Sequence, residues 1–296
     1  MQKIAAVEQP TTLQANQIGL LTLLICFESL HFVFAKLLED QNLPATFAAA
    51  MVLSASALEM GIFGWWTKRI TWAGLRRNFW FFVAIGFFVG ASTMLSYESV
   101  RYISPGIASV LSKTTTLFNL LFGIILLHER LTLGQQLGGA VAILGAVIIV
   151  FEPGDYLRLG SLIVVTSSLL YAFHALTVKR WGGKLDFVEF FFYRVLFSSL
   201  FLLSFAASRQ QWAWPPLTTW LMMLLVGTID VTLSRTVYYM TMRKMPLSVH
   251  SIVLTLSPVG SILLTFLLFQ TVPTLQQAIG GVLVLLGVLL VTLRRG

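Results

Sequence analysis

The sequence predicts an all-α integral membrane protein of ten transmembrane helices, arranged as two inverted repeats of five helices. Two observations predict this fold class. The 296 residues are 57% hydrophobic and 11% charged, whereas about a quarter of the residues in a typical soluble domain carry charge. In addition, many residues recur after 142 positions without a gap, and an internal repeat indicates one structural unit made twice.

The predicted helices are continuous apolar segments of roughly twenty residues each, long enough to cross about 30 Å of hydrocarbon. They are 18–38, 46–66, 78–97, 105–127, 133–151, 159–178, 187–207, 217–240, 247–269 and 274–293. Their apolar residues do not alternate with polar ones, so membrane-spanning strands are not expected. The first segment contains Glu28 and lacks a small-residue cleavage site, so we expect a mature helix and not a secretory signal. It also holds the single cysteine, Cys26, which excludes an intramolecular disulfide.

The repeat is carried by Gly, Gln, Tyr and Arg residues, which chance alignment of leucine-rich helices seldom superimposes. The matched residues are Tyr97, Arg101, Ser109, Thr132, Leu133, Gln135, Gly138, Gly139 and Gly145, which recur as Tyr239, Arg243, Ser251, Thr274, Leu275, Gln277, Gly280, Gly281 and Gly287. A polar turn at 152–155 separates the copies, so the predicted repeats are 1–152 and 153–296. The spacing of the glycines predicts close helix packing, either within a monomer or across a homodimer.

The loop charges predict the orientation. Most loop lysines and arginines fall on one side if the N-terminus is cytoplasmic, so both termini are expected in the cytoplasm. Because each half has an odd number of helices, the second half starts on the opposite side and is inverted relative to the first. Inverted repeats are common in secondary transporters, where the substrate site lies near the midplane between the halves.

Particular residues add a family resemblance that covers essentially the whole chain. The fourth helix ends in Leu-His-Glu-Arg-Leu-Thr at 127–132, and the fifth opens with Gln-Gln-Leu-Gly-Gly at 135–139. With Ser257-Pro258 and Tyr193-Arg194 in the second half, the sequence resembles the EamA-type transporters of the drug/metabolite transporter superfamily. It departs from the pattern where Thr271 stands in place of a second Glu129. The resemblance implies a secondary transporter, favours efflux, and suggests an amino acid or related compound as substrate.

Polar residues three or four apart form matching stripes on the fourth and ninth helices. The first stripe includes Ser109, Lys113, Thr116 and Asn119, and the second includes Ser251 and Thr255. Such stripes either pack helices together or line a cavity. The counterpart of Lys113 in the second repeat is the uncharged Thr255. A cation in the middle of a membrane helix is costly unless an anion or water contacts it. We therefore predict that Lys113 binds an anionic group of the substrate, the alternative being a buried pair with Glu28 or Asp230.

Other ionisable residues within the helices receive separate predictions. Glu28 and His31 lie one turn apart, and with Asp230 they are candidates for proton coupling. Asp230 and Arg235 are five residues apart, which is unfavourable for an intrahelical pair. Glu59 and Arg194 lie at similar depth on equivalent helices and are predicted to form a structural charge pair.

Two further helix faces complete the predicted substrate site. They contribute Tyr171 and His174 from the sixth helix, and Asp230, Ser234 and Tyr238 from the eighth. No Rossmann fingerprint, phosphate-binding loop, metal-binding histidine pair or nucleophile elbow is present in the sequence. We therefore expect no enzymatic activity, no cofactor, no metal and no nucleic-acid partner.

The sequence thus predicts a multi-pass transporter of a bacterial-type plasma (inner) membrane, whose partners are the lipid bilayer and a small-molecule substrate. It is expected to move a small polar or anionic organic metabolite by alternating access. Two alternatives stay open. One is a sugar-phosphate or nucleotide-sugar antiporter, in which Lys113, Arg194 and Arg235 would serve phosphate. The other is a membrane enzyme or sensor that transports nothing.

Overall fold

A computed structural model describes residues 15–127, 133–150, 159–182, 185–242, 254 and 256–293. These residues form thirteen α-helices and one π-helical segment, and hold no strand. The helices are α1 (Ala15–Glu39), α2 (Ala45–Trp66), α3 (Trp72–Arg77), α4 (Phe79–Ser99), α5 (Pro105–Ser112), α6 (Thr114–Leu127), α7 (Leu133–Val150), α8 (Leu159–Trp181), α9 (Phe187–Ser208), α10 (Leu217–Val226), α11 (Ser234–Met242), α12 (Ser257–Phe269) and α13 (Leu275–Leu293). The π segment is Gly227–Leu233, between α10 and α11.

The described helices lie on the apolar segments of the sequence, and six stretches are long and apolar enough to cross a membrane. These are Gly19–Glu39, Ala45–Trp66, Phe79–Ser99, Leu159–Trp181, Phe187–Ser208 and Leu217–Tyr238. Shorter apolar helices cover Leu137–Ile149, Ser257–Phe269 and Leu275–Leu290. The all-helical prediction is confirmed for the described residues, and the number of ten spans stays a prediction.

The fourth predicted helix is not continuous. It breaks at Lys113, whose amide donates to the Val110 carbonyl at 3.1 Å, three residues back instead of four. On either side, the Ser112 hydroxyl donates to the Ser109 carbonyl at 2.7 Å and the Thr114 hydroxyl donates to the Leu111 carbonyl at 2.8 Å. Hydroxyl side chains that bond to carbonyls of the preceding turn bend helices. The run of Ser, Lys and Thr residues at 112–116 therefore divides this segment into α5 and α6.

Helices at equivalent positions of the 142-residue repeat pack against each other in three places. These contacts join α7 to α13, α2 to α9, and α5 to α12, where α5 and α12 are parts of the predicted fourth and ninth helices. Another pair of equivalent contacts joins α1 with α12 and α8 with α6. Two halves related by a two-fold axis have this pattern of contacts, and the boundary between 152 and 153 stays a prediction.

The repeated glycines make the tightest of these contacts. A Cβ atom on Gly145 would lie 2.6 Å from the Gly280 carbonyl oxygen, and one on Gly287 would lie 2.4 Å from the Ala142 amide nitrogen. Small residues let two helix backbones approach in this way. The described structure places these contacts within one chain, between α7 and α13.

Tryptophans collect at the ends of the helices. Trp65, Trp66, Trp72 and Trp80 are exposed around the connection between α2 and α4, and Trp214 is exposed near the start of α10. The guanidinium of Arg76 lies over the Trp72 ring, 5.7 Å from its centroid. Amphipathic aromatic rings and basic residues are typical of membrane interfaces, so these positions mark where the helices leave the hydrocarbon.

Candidate functional site

A central cavity of about 390 Å³ lies between the helices of both halves. Its wall is formed by α1, α2, α4, α6, α8, α9, α11 and the π segment, with Ser112 contributed by α5 and Leu254 also present. The wall contains charged residues from five places in the chain: Glu28, His31, Lys113, Arg194, Asp230 and Arg235. Ligand cavities of a few hundred Å³ with convergent polar groups are the usual form of small-molecule sites.

Two ion pairs cross from α1 to the segment that contains Asp230 and Arg235. The Nδ1 atom of His31 lies 2.8 Å from the Asp230 carboxylate, and the guanidinium of Arg235 lies 3.0 Å from the Glu28 carboxylate. The Ser234 hydroxyl also donates to Glu28, at 3.2 Å. Asp230 and Arg235 therefore find separate partners on α1, as their five-residue spacing requires. Direct proton exchange between Glu28 and His31 is not supported by this arrangement.

The π segment presents Asp230 to the cavity. A π turn inserts an extra residue into a helix, and such turns are frequent at functional sites. Gly227 begins the segment, where a Cβ atom would lie 2.7 Å from the Val52 carbonyl oxygen of α2. The Thr232 hydroxyl donates to the Glu59 carboxylate at 2.5 Å, which anchors the other face of the segment to α2. Close packing against α2 thus fixes the segment while Asp230 points inward.

Lys113 stands at the break between α5 and α6 and lines the cavity. It interacts electrostatically with Glu28 and Arg235, whose opposite charges are already held against each other. In the described part of the chain no carboxylate forms an ion pair with Lys113. The break therefore places in the cavity wall an ammonium group that has no ion-pair partner among the described residues.

Arg194 brings a second cation to the wall from α9. Its side chain is 4% exposed, its Nη2 atom donates to the Tyr171 hydroxyl at 3.4 Å, and its guanidinium lies 5.9 Å from the centroid of the Phe191 ring. Among the described residues its Nε atom has no hydrogen-bond partner, and no carboxylate pairs with it. Aromatic neighbours thus hold the guanidinium in place without neutralising it.

The cavity wall runs from Ser96, near the end of α4, toward the opposite end of the helices. It follows α6 from Thr115 to Asn119 and reaches Ala175 and Tyr238. At the end nearest Ser96, Arg101 forms ion pairs with Glu98 at 3.3 Å and with Glu39 at 3.9 Å, and donates to the Leu43 carbonyl at 3.0 Å. These contacts tie the ends of α1 and α4 to the start of α2, so this end is closed by packed side chains.

Comparison with known proteins identifies the family. The model of the EamA-like transporter family matches residues 17–151 and again residues 158–293. The chain belongs to the EamA-like transporter family. It is therefore a member of the drug/metabolite transporter superfamily, as the sequence resemblance indicated, and its apolar helices make it an integral multi-pass membrane protein.

Relatives of this EamA-like protein carry transporter names. An uncharacterized transporter of Archaeoglobus fulgidus is 28% identical over 251 residues, which cover 84% of this chain and 87% of the relative. The uncharacterized transporter YdfC of Bacillus subtilis is 22% identical over 195 residues, or 64% of this chain and 62% of that protein. A crystal structure of another protein matches 95% of this chain and 97% of its own, with a TM-score of 0.65 and 15% identity. That likeness concerns the fold alone.

Most residues predicted for the substrate site of this EamA-like chain do line the cavity. They are Lys113, Thr116, Asn119, Tyr171, Asp230 and Tyr238, and the proton-coupling candidates Glu28 and His31 line it as well. Ser234 is fully buried and contacts the cavity through its hydrogen bond to Glu28. Ser251 and Thr255 lie outside the described residues.

Two predicted lining residues lie elsewhere. Ser109 is 2% exposed on α5, one turn beyond Ser112, where the cavity is already closed. His174 is 6% exposed behind Tyr171, with the ring centroids 5.1 Å apart. Helical spacing identified their faces correctly, but a face continues past the end of a cavity. Neither residue is among those that line the cavity, so a contact of either with substrate stays a prediction.

The predicted charge pair between Glu59 and Arg194 is also wrong. The Glu59 carboxylate accepts hydrogen bonds from Thr228 and Thr232, each at 2.5 Å, on the side of α2 that faces the π segment. Arg194 points into the central cavity beside Tyr171. The two helices do pack together, but their charged side chains face different neighbours, which equal depth in the membrane does not reveal.

A serine cluster between α4 and α8 was not predicted from the sequence. The Ser167 hydroxyl donates to the Ser92 carbonyl at 2.8 Å and lies 2.9 Å from the Ser92 hydroxyl and 2.8 Å from that of Ser96. All three residues line the cavity. The repeat contained a signal, because Ser92 and the predicted site residue Ser234 are 142 positions apart. Within the described ranges no group of three potential ligands could hold a metal ion.

Proposed function

We propose that this protein is a secondary transporter that moves a small anionic organic metabolite across a bacterial-type plasma membrane by alternating access. The family and the names of the relatives support transport. Lys113 is the evidence that the substrate is anionic. It places an ammonium group in the cavity wall, and no carboxylate among the described residues pairs with it. A cation within a membrane protein marks a substrate pathway when no internal charge neutralises it.

The closed end supports the direction of access. If both termini are cytoplasmic, as the loop charges predict, the end closed by Arg101, Glu39 and Glu98 faces outward. The part of the cavity lined by Asn119, Ala175 and Tyr238 then faces the cytoplasm. A solute would enter from the cytoplasm in this conformation, which fits the efflux that the family resemblance favours. Rocking of the two halves would expose the same groups to the other side.

His31 and Asp230 are our candidates for carrying a coupling proton. They contact each other in the cavity wall, and among the described residues the Oδ1 atom of Asp230 and the hydroxyl of Tyr97 lack hydrogen-bond partners. The Tyr97 ring lies 6.0 Å from the His31 ring. These groups offer positions for a proton or a water molecule next to the ion pair.

A transport screen in proteoliposomes tests the proposal. Purified protein would be assayed for saturable uptake of amino acids, organic acids and sugar phosphates, with and without a pH gradient. The proposal predicts uptake of at least one anionic solute above protein-free vesicles, and loss of that uptake in Lys113→Ala. Arg76→Ala is the matched control, because Arg76 is an exposed cation beside Trp72 and lies outside the cavity. Absence of uptake for every solute, or full uptake by Lys113→Ala, would overturn the proposal.

A further inference from the structure

The charged side chains of the cavity wall do not all form ion pairs with one another. Glu28 is paired with Arg235, and Asp230 is paired with His31. These two contacts account for both carboxylates of the wall. Lys113 and Arg194 remain as two cations facing the same volume of about 390 Å³.

Carboxylates elsewhere in the described ranges do not neutralise these cations. Glu39 and Glu98 are engaged with Arg101 at the closed end, and Asp40 lies 3.0 Å from Lys36. Glu59 accepts hydrogen bonds from two threonines. The two carboxylates near the start of α9 accept other hydrogen bonds. Asp186 caps the helix, and Glu189 accepts from the amide and the hydroxyl of Thr71. Each described carboxylate thus has another partner.

Two uncompensated cations in a membrane protein are costly unless water or an anion meets them. Their geometries are complementary. Arg194 offers a planar guanidinium that its aromatic neighbours hold in place, and such a group suits the two oxygens of a carboxylate or phosphate. Lys113 offers a compact charge on a flexible stem and stands at the break between α5 and α6.

We infer that the transported substrate is a dianion whose two negative charges are bound by Lys113 and Arg194. This inference rests on the proposed transport function and specifies its substrate class. Two kinds of molecule share this chemistry: a small dicarboxylate, with one carboxylate at each cation, and a phosphate monoester, which carries close to two charges on one group. The ion pairs Glu28–Arg235 and His31–Asp230 lie in the same wall and supply polar contacts to the uncharged part of the substrate.

Binding of matched solutes tests this substrate class. The protein in detergent would be titrated at constant chloride concentration with succinate, butyrate, glycerol 3-phosphate and glycerol, and its thermal unfolding midpoint measured. Butyrate matches succinate in carbon number with one charge fewer, and glycerol is the neutral partner of its phosphate. A ligand that binds only the folded state raises the midpoint, and the rise grows with the ratio of its concentration to its dissociation constant.

We expect succinate or glycerol 3-phosphate to raise the midpoint, and butyrate and glycerol to have no effect. Stabilisation by succinate alone would assign the dicarboxylate form, and stabilisation by glycerol 3-phosphate alone would assign the phosphate form. Lys113→Gln and Arg194→Gln should each weaken the binding of that dianion about ten-fold or more, as expected for loss of a hydrogen bond between charged groups. Arg194→Lys retains the charge and should recover part of the affinity.

Other results separate this inference from the proposed function. If the transport screen finds a zwitterion, a monoanion or a neutral solute, and neither dianion binds or competes with it, the dianion inference is wrong while transport stands. The same holds if Arg194→Gln folds and binds a dianion as tightly as the unmodified protein. If no solute is transported by protein that remains folded, the proposed function itself fails.

Discussion

Gly287→Ala should destabilise the protein by separating α7 from α13. The added Cβ atom would lie 2.4 Å from the Ala142 amide nitrogen and 2.6 Å from the Gly138 carbonyl oxygen. Both atoms belong to backbone and cannot rotate away. Ordinary contacts of this kind begin at 3.4 Å, so the helices must move apart by about 1 Å, and overpacking of this kind costs about 1–3 kcal/mol.

The matched control is Gly139→Ala. Gly139 lies on α7, and none of the described atoms would come within 4 Å of its added Cβ atom. Replacing glycine by alanine within a helix is itself favourable by about 1 kcal/mol, and the control measures this gain without the clash. The difference between the two variants therefore isolates the packing cost.

Thermal unfolding in detergent, followed by circular dichroism, would measure the effect. The midpoint for Gly287→Ala should lie roughly 2–10 °C below that of Gly139→Ala, from the packing cost and the usual dependence of the midpoint on stability. Equal midpoints for the two variants would show that α7 and α13 do not approach at Gly287. The intrachain packing of the repeated glycines would then be refuted.

Three further predictions concern other parts of the molecule. Glu189→Ala should lower stability by about 1–2 kcal/mol in a chemical or thermal unfolding assay, because the carboxylate oxygen that accepts from the Thr71 amide and hydroxyl is lost. An unchanged midpoint would contradict these hydrogen bonds. Cys26 is exposed on α1, so a spin label there should be accessible to oxygen and protected from a water-soluble relaxation agent; the reverse result would place it outside the hydrocarbon. Asp230→Asn should abolish the stimulation of transport by a pH gradient, because an amide cannot take up the proton. Glu28→Gln should retain that stimulation. The opposite pair of results would assign coupling to Glu28.

The repeat in the sequence predicted the features that depend on backbone packing. Gly145 and Gly287 were identified from their spacing alone, and they lie at the closest helix contact. Glycines are informative in this way because only the absence of a side chain permits such an approach. The helices themselves follow from apolar segments long enough to span a bilayer.

The sequence was less informative about which side chains meet. It placed Lys113 in the cavity correctly, because a mid-helix cation requires a polar environment. It failed for Glu59 and Arg194, because the direction of each side chain depends on how α2 and α9 rotate against their neighbours. It also gave no sign of the π segment around Asp230, since the close contact of Gly227 with α2 arises only once the helices are packed.

The function of Lys113 is open to one direct measurement. Proteoliposomes containing the unmodified protein, Lys113→Ala or Arg76→Ala would be loaded with the anionic solute found by screening, and accumulation of the labelled solute by exchange would be followed. Exchange requires the cavity to bind the solute on both sides of the membrane, but does not require an ion gradient. We predict exchange by the unmodified protein and by Arg76→Ala, and its loss in folded Lys113→Ala. Exchange by Lys113→Ala at the unmodified rate and affinity would contradict a substrate site built around this lysine.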